Sequence, residues 1–152
     1  MSDIETIKDE ARTLVGIRRE VNVQDLAAFF GEVLPKTFAW MSANEITPVS
    51  APMAMWCAMD MESGIADAHA GFFVTGPVSV EGEFTLGHTP GGDVLKVVHR
   101  GGYEAMGQTW QRVYGHAKEL GRTPGAGWEI YIDDPASVAE EELRTEIYLP
   151  VT

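Results

Sequence analysis

The sequence predicts an α+β protein of one domain, residues 1–152, built from duplicated βαββ units. Three observations carry that prediction. Apolar residues alternate in short runs bounded by Gly and Pro, the pattern of strands. Two longer stretches carry apolar residues at helical spacing. The same order of landmarks occurs twice along the chain.

In the first half, residues 12–21 read as a strand with Thr13, Val15 and Ile17 on one face. Asn22 is placed to cap the helix that follows, with Asp25 three residues on. That helix carries Leu26, Phe29, Phe30, Val33 and Leu34 on one stripe. Pro35 falls inside the pattern and either kinks the helix or opens a second one through Phe38 and Trp40. The pattern breaks at Thr47-Pro48, and strands are expected over 53–59 and 66–74.

A further strand is expected over 81–89, then a Pro90-Gly91-Gly92 turn and a strand over 94–100. Gly101-Gly102 leads into a second helix bearing Met106, Trp110, Val113, Tyr114, Ala117 and Leu120. Gly121 stands where a left-handed C-terminal cap belongs. Residues 128–133 and 144–151 are the closing strands.

The halves align landmark by landmark. Thr13-Leu14-Val15-Gly16-Ile17-Arg18 lies over Leu95-Lys96-Val97-Val98-His99-Arg100, and each run leads through a helix to a Thr-Pro pair. Met53-Ala54-Met55-Trp56 matches Trp128-Glu129-Ile130-Tyr131, and residues 68–74 match 145–151. On this alignment the strand over 81–89 is an addition between the halves. Alternation assigns Ile130, Ile132, Ile147 and Leu149 to the helix side, and Glu129, Tyr131, Glu146 and Tyr148 to the other. The same parity assigns Ala54, Trp56, Asp67 and His69 to that other face in the first half. If a pseudo-twofold axis relates the halves, the two mixed faces meet across a central groove.

Composition narrows the function. Acidic residues number 23 against 11 basic, a net charge of -12, which repels a phosphate backbone and argues against direct nucleic-acid binding. That charge serves either solubility or a field that favours cationic ligands. Cys57 is the single cysteine, so neither an internal disulfide nor a multi-cysteine zinc site is available. No two histidines have metal-helix spacing, and no cofactor loop is recognisable; neither metal nor cofactor is expected. The N-terminal residues lack the apolar core of a signal peptide, and no apolar run reaches membrane-spanning length, so a cytoplasmic location away from the membrane is expected.

The runs His99-Arg100-Gly101-Gly102-Tyr103-Glu104, Leu120-Gly121-Arg122-Thr123-Pro124, Trp128-Glu129-Ile130-Tyr131 and Thr145-Glu146-Ile147-Tyr148-Leu149-Pro150-Val151 resemble the GyrI-like (gyrase-inhibitor-like) family. That family includes effector-binding domains of AraC-type and MerR-type regulators. The resemblance implies antiparallel sheets with helices on one side and a central cleft for hydrophobic, often cationic, drug-like molecules. It implies Glu146 at the cleft floor and Trp56 and Tyr131 in its aromatic walls. His69 stands opposite Glu146 in the repeat and joins the candidates, as do Glu129, Tyr148 and, at the helix start, Tyr103.

Each residue has a plainer reading beside this one. A strand glutamate is often simply exposed, Trp110 reads as core, His88 and His116 as surface, and His99 as a satisfied core residue. Phe72 and Phe73 are either a lid or core packing. The short segment before the first strand leaves no room for a helix-turn-helix, so a binding module acting alone is expected. Three functions follow in order. The first is a non-enzymatic binder of a small organic ligand, cationic or aromatic. The second is a hydrolase of strained, cyclopropane-containing electrophiles with Glu146 as general base, as the family implies. The third is a protein-interaction module such as a gyrase modulator.

Overall fold

The computed structural model describes residues 3–152. In chain order the elements are β1 (Glu5–Asp9), β2 (Thr13–Asn22), α1 (Leu26–Ala43), β3 (Met53–Asp60), β4 (Ile65–Val74), β5 (Phe84–His88), β6 (Gly92–Arg100), α2 (Met106–Glu119), β7 (Trp128–Tyr131) and β8 (Arg144–Pro150). They divide into two compact units. The first unit is Ala11–Thr89; the second joins Met1–Glu10 to Pro90–Thr152.

The first unit is an antiparallel sheet in the order β3-β4-β2-β5, with α1 on one face. Asn22 caps the turn before α1 by accepting from the Gln24 backbone N–H at 3.0 Å, as the sequence expects. The helix continues through Pro35 as one element and buries Phe29, Val33, Thr37 and Met41. Met41 meets Val15, Phe72 and Val74 of the sheet. Phe72 and Phe73 are both buried, so they are packing residues rather than a lid.

The second unit repeats the plan in the order β1-β6-β8-β7, with α2 on one face. Met106, Val113 and Ala117 of α2 pack on Leu95, Val97, Ile147 and Leu149. Gly121 takes φ 68°, and the Arg122 N–H reaches back to the Ala117 carbonyl at 3.0 Å, closing the helix as a left-handed cap should. The α+β class and the duplicated unit are therefore as the sequence predicts.

Two features depart from that reading. Residues 5–9 form β1, where only a polar lead-in is expected; the strand is largely exposed and offers little periodicity to detect. Nor is β5 an addition without a counterpart. It edges the first sheet against β2 as β1 edges the second against β6. Each edge strand immediately precedes the first long strand of the other unit, so the two units exchange edges.

Candidate functional site

Cross-strand register decides which side chains share a face, because residues directly opposite in an antiparallel pair project the same way. In the second unit Ile147 and Leu149 face α2. Glu129 lies opposite Ile147, and Tyr131 opposite Thr145, so Glu129 and Tyr131 are on the helix side. Trp128 pairs with Tyr148 and Ile130 with Glu146, on the far side. The expected grouping of Glu129 and Tyr131 with Glu146 and Tyr148 is thus corrected, and Ile130 exchanges faces with Glu129. Alternation fixes the phase within one strand; only pairing fixes it between strands. The long connection between β7 and β8 leaves that pairing unspecified by any tight turn.

On the helix side Glu129 is 5% exposed. A carboxylate at that depth needs donors. The Trp110 indole N–H of α2 donates to its Oε2 at 2.5 Å, and the Tyr131 hydroxyl donates to Oε1 at 2.8 Å. Neither donor carries a charge. Tyr103, in the 3-10 turn that starts the helix, sets its ring edge-on to Tyr131 at 5.9 Å between centroids. Burial, and then the Glu129 carboxylate, push the Tyr131 phenol well above its ordinary 10.0, so it stays a donor at neutral pH. Burial and the nearby Asp134, Glu129 and Asp133 raise Tyr103 as well, which marks this corner as electronegative. Trp110 was expected in the core, and its ring does pack there. Its role in holding Glu129 was signalled only by the general need of a buried indole N–H for an acceptor.

Gly127 makes this arrangement possible. A Cβ there would lie 2.6 Å from Cη2 of Trp110 and 2.8 Å from the Tyr148 carbonyl oxygen. The indole lies across the space that a side chain would fill.

The far side holds a different cluster. Tyr148 stacks on Trp128 at 5.3 Å and 9°, and its hydroxyl donates to Glu146 Oε1 at 2.9 Å. Lys96 places its ammonium 3.5 Å from Glu146 and 5.5 Å from the Tyr148 ring centroid. Glu146 therefore already has the protein's own cation beside it.

The first unit shows the same division. Trp56 pairs with Ala68, on the helix side with Phe72 and Val74, and its ring meets Phe30 of α1 at 6.3 Å. Asp67 and His69 lie on the opposite face, so the expected sharing of one face by Trp56 and His69 is also corrected. His69 is 2% exposed, and its Nε2 meets the Thr85 hydroxyl at 3.1 Å and carbonyl at 3.3 Å. Asp67 holds Arg18 bidentately at 2.9 and 2.7 Å. A shallow depression of about 440 Å³ lies there, lined by Arg18, Arg19, Glu20, Asp67, Thr85 and Leu86. Its arginines are paired with Asp67, Glu32 and Glu83, which leaves no excess charge to draw an anion.

Among the described residues no three His, Cys, Asp or Glu side chains converge as metal ligands. None of their helices is long and apolar enough to cross a membrane.

Comparison with known proteins places the fold. The sequence matches the GyrI-like small molecule binding domain over residues 2–152. The chain belongs to that family. It is similar to the crystal structure of the EcmrR C-terminal domain, with a TM-score of 0.82 at 16% identity, covering 100% of this chain and 98% of that one. EcmrR in its DNA complex superposes with a TM-score of 0.83 at 17% identity, and there the chain spans 57% of the regulator's length. SAV2435 bound to tetraphenylphosphonium gives a TM-score of 0.67 at 17% identity, covering 99% and 94% of the two chains. No curated protein matches the sequence.

Proposed function

We propose that this GyrI-like chain binds a lipophilic organic cation at Glu129, with Tyr103, Trp110 and Tyr131 as aromatic neighbours. The observation that carries the reading is a buried carboxylate held in place by an indole and a phenol, both neutral donors. These two bonds hold the Glu129 carboxylate between an indole and a phenol. A flat or quaternary cation gains from the carboxylate and from each ring face, about 0.5–2 kcal/mol per ring. The net charge of -12 favours the encounter. The family's small-molecule binding and the tetraphenylphosphonium bound by SAV2435 support the same class of ligand. Trp56, beside Phe30 of its own unit, is not assigned to this ligand. Glu146, Tyr148 and His69 are not assigned to the ligand: Lys96 stands at Glu146 and Tyr148, and Thr85 engages His69.

A hydrolytic reading would use the acid as a general base. Both Glu129 oxygens are engaged by donors of the protein itself, the Trp110 indole and the Tyr131 hydroxyl. Binding is therefore favoured over turnover.

Calorimetric titration with tetraphenylphosphonium and with neutral triphenylphosphine oxide tests this. The cation is expected to bind at least about tenfold more tightly, and to be recovered with unchanged mass after long incubation. Equal affinity for both compounds would overturn the cationic reading.

A further inference from the structure

His99 is buried, at 6% exposure, and lies outside the cluster around Glu129. Its ring spans two elements. Nε2 is 2.9 Å from the carbonyl oxygen of Gly102, and Nδ1 is 2.7 Å from the Thr109 hydroxyl of α2. A carbonyl oxygen only accepts, so Nε2 carries the hydrogen, and in the neutral ring Nδ1 accepts from Thr109. Gly102 is the N-cap of the 3-10 turn Tyr103–Ala105 and has no side chain with which to cap it. Its carbonyl also receives the Ala105 N–H at 3.3 Å. The preceding Gly101 turns the chain at φ 113°, a conformation that fixes little by itself. The imidazole is thus a side-chain anchor on the peptide that delivers Tyr103 to Tyr131 and Glu129.

We propose that His99 is a positioning residue for the Glu129 site: its Nε2–H holds the Gly102 carbonyl and so fixes Tyr103 against Tyr131. The inference rests on the reading of Glu129 as the ligand site and adds what organises one wall of it. The ring does not touch the ligand. Its effect on affinity passes through Tyr103.

Two substitutions separate the two ring nitrogens. His99→Gln places an amide donor near the position of Nε2 and keeps the Gly102 bond. His99→Asn places its amide near Nδ1, keeps Thr109 and loses Gly102. With tetraphenylphosphonium as the probe, His99→Asn is expected to weaken binding roughly fivefold to tenfold, and His99→Gln to stay within about twofold. On a Tyr103→Ala background, His99→Asn is expected to have no further effect, whereas a merely structural role would weaken both backgrounds alike. Melting temperatures of all variants control for general destabilisation. Undiminished binding by His99→Asn, or an equal loss on both backgrounds, overturns the inference. Nitrogen-15 spectroscopy of the unmodified protein gives an arm that needs no variant: a ring protonated at Nδ1 alone contradicts the proposal. Glu129→Gln is run in parallel. If it binds the probe as tightly as the unmodified protein does, the site reading itself fails and this inference falls with it. If it weakens binding while His99→Asn does not, the inference about His99 alone fails.

Discussion

Burial holds the His69 imidazole below its ordinary 6.5, outweighing hydrogen bonds with the Thr85 and Gly16 backbone that act the other way. Arg18 and Asp67 are the charged groups that bear on the ring, with opposite effects. Because the unfolded chain takes up this proton at a higher pH than the native state, stability is full above about 6.5 and falls as pH drops through the native value. Chemical denaturation between pH 7.5 and roughly 5 is expected to show that decline, and His69→Asn to flatten it. An unchanged slope in the variant would remove His69 as the cause. The carboxylates act in a lower window. Arg18 lowers Asp67, Arg144 lowers Asp133, and Lys8 with Arg122 lowers Asp93, so their contributions are whole above the ordinary 3.8 and are lost below it, as pH falls to the lowered native values.

Between elements, the pairing of β2 with β4 leaves no room for a side chain at its centre. Gly16 and Gly71 face each other in the register, and a Cβ on Gly16 would lie 1.9 Å from the Ala70 carbonyl oxygen. Gly16→Ala is expected to destabilise the protein by about 1–3 kcal/mol, as overpacking does, read from urea denaturation. Gly127→Ala is expected to displace the Trp110 indole from Glu129, seen as a shift in tryptophan emission with weaker cation binding. The strands and helices were legible because their apolar periods are strong, and the caps at Asn22 and Gly121 were legible because their chemistry is local. The partnership of Glu129 with Trp110 was not. It depends on the register of β7 against β8, which the alternating pattern leaves free by one residue, and that one residue moves Glu129 from beside Glu146 to beside α2.

For the whole molecule, the exchange of edge strands makes the second unit depend on residues far from it in sequence. Lys8 pairs with Asp93 at 2.6 Å, and Ile4 packs against the α2 core cluster. Deleting residues 3–9 removes one of the two strands paired with β6 and leaves β8; a lower melting temperature is expected, and an unchanged one would show that β1 contributes nothing. Within this frame the acidic groups take two roles: Glu146 beside Lys96 balances the protein's own charge, and Glu129 is the group proposed to meet a foreign one. The most direct measurement titrates tetraphenylphosphonium into Glu129→Gln and Glu146→Gln side by side. The account predicts a loss of at least about tenfold for Glu129→Gln and near-native affinity for Glu146→Gln. The reverse pattern, with Glu146→Gln crippled and Glu129→Gln intact, would contradict it.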